Sequence, residues 1–173
     1  MFKEIDYATL QLNPMKFWED WLLLCVGDYH QRHFNSMTIA MGSLGVMWHI
    51  PIIIIGVRPT RYSYEFIETY DDFSVNKLPS RYKNDLKILG TKSGRDIDKR
   101  NYEGLHAVQG IKTNAPIYQE AEMVFECKKI YYDDVNKTSA KEPILDFYKD
   151  REYHRLYIGR IEGIYVNTSD GAS

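Results

Sequence analysis

The chain has 173 residues, enough for one domain with a large buried core. It carries 22 Lys and Arg residues against 24 Asp and Glu residues, and its formal net charge at pH 7 is −2. This balance argues against a general nucleic-acid-binding or membrane-surface role. Aromatic residues make up 14% of the chain, which favours strands and surfaces that stack on a flat ligand or on a partner subunit.

The start of the chain and its two cysteines bear on where the protein resides. Residues 1–6 lack the basic and apolar regions of a signal peptide, and the longest apolar stretch, residues 50–57, is too short to span a membrane. Cys25 and Cys127 are far apart in apolar surroundings, so buried free thiols are favoured over a single disulfide. We expect a soluble, cytoplasmic protein with one domain over residues 1–173.

Hydrophobic periodicity and β-branched runs predict six strands. They cover residues 21–26, 35–42, 51–57, 73–78, 120–132 and 153–166. Residues 51–57 are apolar throughout, which predicts a strand covered on both faces. Residues 120–132 alternate instead, which predicts a half-exposed strand with Glu126 on its outer face. The polar tail, residues 167–173, is expected to fray.

Two short helices are predicted between these strands. One covers residues 62–70 with Thr60 or Ser63 as its cap, and the other begins at Ser80 and ends at Gly90. Many strands without alternating βαβ units indicate a mainly β (α+β) fold, a closed or partly closed barrel with short flanking helices.

Two arginines mark a candidate anion site at the start of the first helix. Arg58 ends an apolar strand and Arg61 lies at the helix start, where cations oppose the helix dipole unless a negative group lies between them. A phosphate of a ligand would satisfy both the arginines and the free backbone N–H groups. Surface ion pairs are the alternative. The acids available for them are Glu65, Asp71 and Asp72.

A second candidate is the loop at residues 91–100, which mixes small and cationic residues. Such a composition suits a loop that wraps a phosphate, although a solvated loop before a helix would have it too. The five histidines show no metal-ligand spacing, and no arrangement for nucleophilic catalysis is present in the sequence. His154 alone, at the start of a long strand, is placed to face a ligand.

Several segments, in order along the chain, resemble the flavin reductase-like family of FMN-binding split-barrel proteins, which includes flavoredoxin. They are Asn35-x-Met37-Thr38, the turn at residues 57–66, the loop Ser93-Gly94-Arg95-Asp96-x-Asp98-Lys99, residues 126–129 and residues 153–159. The loop is the most specific of them, and together they cover nearly the whole chain.

The resemblance implies a homodimeric split β-barrel that holds one FMN per subunit without a covalent link. It implies that Asn35, Met37 and Thr38 contact the ring and ribityl chain and that His154 approaches the cofactor from the last long strand. The resemblance also implies that the phosphate is surrounded, with Tyr62 nearby, by Arg58, Arg61, Ser63 and Lys99. The full set assigned to the cofactor is Asn35, Ser36, Met37, Thr38, Ala40, Met41, Arg58, Arg61, Tyr62, Ser63, Lys99 and His154.

The chain departs from the family pattern at three positions. Family members commonly carry Trp where Met41 stands, and Gly and a cation where His49 and Ile50 stand. Methionine still offers a soft apolar surface to a ring. The loss of the cation puts the docking of a reductant or partner in question.

These observations predict an FMN-dependent oxidoreductase in which NAD(P)H passes hydride to the bound flavin and the electrons continue to an acceptor. One alternative is an FMN-carrying electron-transfer protein that is reduced by a redox protein. Another is a flavin-storage dimer without turnover.

Overall fold

The computed structural model describes residues 1–169, and strands dominate it from one end to the other. The strands are β1 (Phe2–Ile5), β2 (Leu22–Asp28), β3 (His33–Ile39), β4 (Gly42–Met47), β5 (Ile50–Val57), β6 (Asp72–Lys77), β7 (Ala107–Val108), β8 (Ile117–Tyr118), β9 (Met123–Asp134) and β10 (Arg155–Asn167). The predicted mainly β architecture with short flanking helices is confirmed.

Residues 1–169 form four α-helices, two more than predicted. They are α1 (Pro14–Glu19), α2 (Tyr62–Thr69), α3 (Lys83–Thr91) and α4 (Ile144–Phe147), with 3-10 turns at Tyr7–Thr9, Ser80–Tyr82 and Lys99–Asn101. The sequence missed α1 and α4 because six and four residues are too few to show a helical period.

The predicted helix caps were wrong. Arg61 is the N-cap of α2 and makes no side-chain capping bond, so neither Thr60 nor Ser63 has that role. A 3-10 turn precedes α3, and its side chains do not cap that helix either. The hydroxyl of Ser63 is used in a tertiary hydrogen bond instead, which a local pattern cannot reveal.

Eight antiparallel strands form the main sheet in the order β3-β2-β6-β9-β10-β5-β4, with β1 also pairing with β10. Within residues 1–169, β3 and β4 lie at the two ends of this order and do not pair with each other. The chain leaves the sheet at Ala40 and Met41 between them. The prediction of one strand over residues 35–42 was therefore wrong, because it joined the end of β3 to the start of β4.

The core lies on both sides of the central strands. On β2, Leu22, Leu24 and Val26 join the larger apolar cluster, while Leu23 and Cys25 join a second cluster with Leu86 and Leu89 of α3. Burial on both faces extends along β5, as its unbroken apolar run predicted. Cys25 and Cys127 are buried free thiols, as expected.

Glu126 corrects the prediction for β9. Its side chain is fully buried, because a loop folds over the strand and donates backbone N–H groups of Ile111 and Lys112 to the carboxylate at 2.6 and 2.7 Å. Burial raises the pKa of Glu126 above its ordinary value, and the hydrogen bonds oppose that shift. The first half of β9 is thus covered on both faces.

The chain ends are tied to each other as far as they are described. The Thr168 N–H donates to the Met1 carbonyl at 2.9 Å, and Asn167 belongs to β10, so the predicted fraying does not begin at residue 167. Residues 170–173 of the predicted tail lie outside the described residues. Among the described helices, none has the length and apolar character needed to cross a membrane.

A candidate ligand-binding cleft

Two adjoining hollows form a cleft at the gap between β3 and β4. We call the first the cationic cradle; it is lined by Asn35, Met37, Thr60, Arg61, Tyr62, Ser63, Thr91, Lys92, Ser93, Gly94 and Lys99. We call the second the apolar groove; it is lined by Met37, Thr38, Ile39, Ala40, Met41, Gly56, Arg58, Arg61, Gly90, Phe147 and His154. Because Met37 and Arg61 line both, one ligand can extend from the cradle into the groove.

Three elements build the cradle. Asn35 on β3 is joined to Ser63 in the first turn of α2 by a buried hydrogen bond of 2.7 Å from Nδ2 to Oγ. The loop after α3 closes the third side, because Gly94 lies so close to Asn35 and Tyr62 that a Cβ atom there would collide with both. The free space in the cradle is about 60 Å³, room for a few groups the size of a water molecule.

Lys99 is buried at the floor of the cradle. Its Nζ donates to the carbonyl oxygens of Ser36, at 3.0 Å, and Leu89, at 2.7 Å. Burial, together with the charge of Arg61, lowers the pKa of Lys99 to about 8. Burial likewise lowers the pKa of Arg61, with Arg58 contributing. Arg61 therefore disfavours the charge of Lys99, and Arg58 disfavours that of Arg61.

The acids that might have neutralised these cations are occupied elsewhere. Glu65 pairs with Arg95, Asp71 pairs with Lys129, and Asp72 accepts the backbone N–H of Asn114. Within residues 1–169, no carboxylate lies within 4.0 Å of Arg58, Arg61 or Lys99. Among the described residues, ion pairs therefore do not neutralise these cations, and their charge is available to an anionic ligand.

The apolar groove occupies about 440 Å³ where the sheet fails to close. Gly56 of β5 keeps it open, since a Cβ atom there would lie 3.0 Å from Met41 Sδ and 3.3 Å from His154 Cδ2. The hydroxyl of Thr38 donates to the Leu86 carbonyl at 2.5 Å, so Thr38 presents its methyl group and backbone rather than a free hydroxyl. The groove suits a flat, largely apolar ring.

His154 and Arg58 supply the polar atoms of the groove. His154 is buried, its Nδ1 shares a hydrogen bond of 2.8 Å with the Tyr148 hydroxyl, and burial together with the charge of Arg58 lowers its pKa to about 4. Its imidazole is therefore neutral near pH 7. The Arg58 Nε is buried and has no hydrogen-bond partner among the described residues, which marks a donor available to a ligand.

The structure brings together every predicted site residue except Ser36. The Ser36 hydroxyl faces the core, where it contacts Tyr118 Oη at 2.7 Å and Cys25 Sγ at 3.2 Å. Arg58 lines the groove and not the cradle, so its assignment to the phosphate stays a prediction. Sequence reasoning missed Phe147 and Gly56, because nothing local marks the segment before β10 or a glycine inside an apolar strand.

In the part of the chain that the structure describes, no group of three or more His, Cys, Asp or Glu side chains is placed to hold a metal ion.

The family model for the flavin reductase-like domain matches residues 24–173. No curated protein matches the sequence significantly. Among solved structures, the flavoredoxin of Desulfovibrio vulgaris (Miyazaki F) is similar with a TM-score of 0.68 and 22% sequence identity, over 96% of this chain and 78% of that chain.

Two further structures have the same fold. An FMN-binding protein of Thermus thermophilus with bound p-hydroxybenzaldehyde has a TM-score of 0.68 and 18% identity, over 88% of this chain and 74% of that chain. An NADH:FAD oxidoreductase of Streptomyces globisporus has a TM-score of 0.65 and 14% identity, over 87% of this chain and 76% of that chain. These likenesses confirm the split β-barrel that the resemblance predicted.

Proposed function

The chain belongs to the flavin reductase-like domain family, and from that premise we propose that it binds FMN non-covalently and works as a flavin oxidoreductase. The observation that carries the proposal is the uncompensated charge of Arg61 and Lys99 beside an apolar groove. A phosphate joined to a flat ring matches both halves of this cleft, and FMN has that shape and charge.

FMN suits the cleft better than FAD does. The cradle has room for a single phosphate, and the contact of Gly94 with Asn35 and Tyr62 closes its far side. A pyrophosphate with an adenosine beyond it would have to open that contact. We therefore expect FMN to bind more tightly than FAD.

Each part of the cleft has a distinct task in this proposal. Lys99 and Arg61 donate charge-assisted hydrogen bonds to the phosphate, and Ser63 and Tyr62 border it. The surface for the ring is formed by Met37, Thr38, Ala40 and Met41. Arg58 and His154 provide polar groups at that surface, the guanidinium Nε and the imidazole. When bound, FMN would supply the chemistry of accepting hydride from a nicotinamide and passing electrons on.

NAD(P)H is the proposed reductant, and a redox protein is the alternative donor. Similarity to an NADH:FAD oxidoreductase supports the first, and similarity to a flavoredoxin supports the second. Neither donor needs a catalytic side chain in the cleft, because the cofactor carries the redox step and the protein orients it.

We also propose a homodimer in the cytoplasm. Three consecutive exposed apolar side chains occur at each of two places: Val46, Met47 and Trp48 at the β4–β5 turn, and Ile130, Tyr131 and Tyr132 on β9. Such surfaces commonly mark an interface. Light scattering during size exclusion would give twice the monomer mass, and a monomeric mass at micromolar concentration would contradict the dimer.

The two free thiols suit the proposed cytoplasmic location.

The decisive experiment is a visible spectrum of the purified protein with FMN, recorded anaerobically before and after NADH or NADPH. A flavin band that bleaches at once with either nicotinamide supports the reductase. A band that bleaches only with a reduced protein donor supports electron transfer. The absence of any FMN binding by equilibrium dialysis would contradict both.

A further inference from the structure

The connection between β9 and β10 places an aromatic cluster beside the apolar groove. Its two ends meet where the Val135 N–H donates to the His154 carbonyl at 3.0 Å. Tyr148 anchors the connection: it is buried, its ring stacks on Tyr153 at 4.4 Å with an angle of 19°, and its hydroxyl bonds to His154. The segment is thus fixed to the same histidine that lines the groove.

Phe147 lies next to this anchor but is held differently. Its side chain lines the groove and remains 42% exposed. Its neighbours are the edge-on ring of Tyr148 at 4.9 Å, the tilted ring of His154 at 6.3 Å and the guanidinium of Arg151 at 5.1 Å. These contacts are weak and include no hydrogen bond, so the ring can turn at small cost.

Phe147 also differs in kind from the rest of the groove. It contributes the one phenyl ring among the described lining residues, and it comes from α4, whereas β3, β5 and the residues between β3 and β4 supply most of the others. The phenyl ring of Phe147 is half exposed and the groove beside it is open, so the apolar surface of each is left uncovered. A flat ring bound in the groove would cover that surface and gain an aromatic contact.

We propose that Phe147 packs on the ring of the bound FMN and limits the access of a second planar molecule to it. This inference rests on the proposed FMN binding and adds how the same site selects its reductant. A nicotinamide has to move Phe147 aside before it can stack on the flavin. Phe147 is therefore a specificity-determining residue rather than a proton or hydride donor.

The inference predicts that the loss of Phe147 weakens FMN binding but speeds flavin reduction. Phe147→Ala removes an aromatic contact, so the Kd for FMN should rise about three- to tenfold. It also uncovers the ring, so the rate of anaerobic flavin reduction at a fixed, subsaturating NADH concentration should rise, and the fluorescence of bound FMN should increase. Phe147→Leu keeps apolar volume without the ring and should show intermediate values.

Ile144→Ala is the matched control, because Ile144 is on the same short helix and 44% exposed, yet does not line the groove. It should leave FMN affinity, bound-flavin fluorescence and reduction rate unchanged. Thermal unfolding of each variant shows whether the fold is retained.

The outcomes separate this inference from the function on which it rests. If the wild-type protein binds no FMN, the proposed function and this inference fail together. If the wild type binds FMN and Phe147→Ala leaves affinity and fluorescence unchanged, only the inference is overturned. A slower reduction by NADH with unchanged FMN affinity would also overturn it, since the nicotinamide would then be the ring that packs on Phe147.

Discussion

The cationic cradle and the apolar groove adjoin, yet they are built on opposite principles. The cradle fixes polar and charged groups with buried hydrogen bonds: Lys99 to two carbonyls, and Asn35 to Ser63. The groove is open because Gly56 has no Cβ atom and because β3 and β4 do not pair with each other. In the proposed complex, the cationic cradle selects a phosphate by its charge, and the apolar groove accepts a flat ring by its shape.

The strongest test of this division is Lys99→Ala. If Lys99 contacts the phosphate as proposed, losing this buried cation should weaken FMN binding by about 1.5–3 kcal/mol, whereas riboflavin, which lacks the phosphate, should bind almost unchanged. Isothermal titration with both ligands measures the difference. Lys87→Ala, an exposed lysine on α3, is the control and should change neither affinity. Equal losses for both ligands would remove Lys99 from the phosphate site.

The pH dependence of FMN affinity sharpens the same point. The pKa of Lys99 in the free protein is lowered to about 8, and a bound phosphate would raise it. Binding therefore takes up a proton above pH 8, and the affinity should fall by up to tenfold per pH unit as pH rises beyond that value. It should also fall below about pH 6, where the phosphate becomes protonated.

Lys99→Arg is the variant that isolates this titration. Arginine keeps its proton throughout the accessible range, so the loss above pH 8 should disappear while the loss below pH 6 remains. An alkaline loss of the same size in Lys99→Arg would assign the titration to another group.

A test of the groove should affect FMN and riboflavin alike. The Cβ of Gly56→Ala would press on Met41 and His154, at 3.0 and 3.3 Å, and narrow the space for the ring. We expect both ligands to lose about 1 kcal/mol of binding free energy. Gly45→Ala on β4 is the control, because a Cβ there meets no atom within 4 Å. A loss confined to FMN would contradict the division.

The smallest effect on binding is expected for Ser36→Ala. The Ser36 hydroxyl faces the core, while its backbone carbonyl, which accepts from Lys99, is kept in the variant. FMN affinity should stay within about twofold, and the free energy of unfolding in urea should fall by about 1 kcal/mol. A large loss of FMN affinity without a loss of stability would show that this hydroxyl does reach the ligand.

The sequence predicted those features of the fold that a local pattern encodes. The β-branched run before Arg58 indicated β5, and the predicted helix at residues 62–70 corresponds to α2. The resemblance added what no periodic pattern can show: it assigned Lys99 and His154 to one site with residues far away along the chain. The structure brings these side chains to one cleft, although ligand contact there stays a prediction.

What could not be predicted depends on contacts that form only in three dimensions. Glu126 alternates like an exposed residue, yet the loop around Ile111 buries it. The sheet opens after Ile39 although the apolar pattern continues into Gly42. Phe147 sits in a charged, irregular stretch, and its proximity to the groove depends on how Tyr148 is anchored to His154.

The positions of the cysteine and methionine side chains determine which of them are susceptible to oxidation. Cys25 and Cys127 are fully buried, and burial raises the pKa of Cys25 to about 12 and that of Cys127 well above its ordinary value, so neither offers a thiolate to an oxidant. Met37 and Met41, by contrast, line the groove where reduced flavin would meet oxygen. If the protein turns over flavin as proposed, repeated turnover in air should therefore oxidise these two methionines to sulfoxides first. The surface proposed to hold the flavin ring would then be the first part of the protein to be damaged.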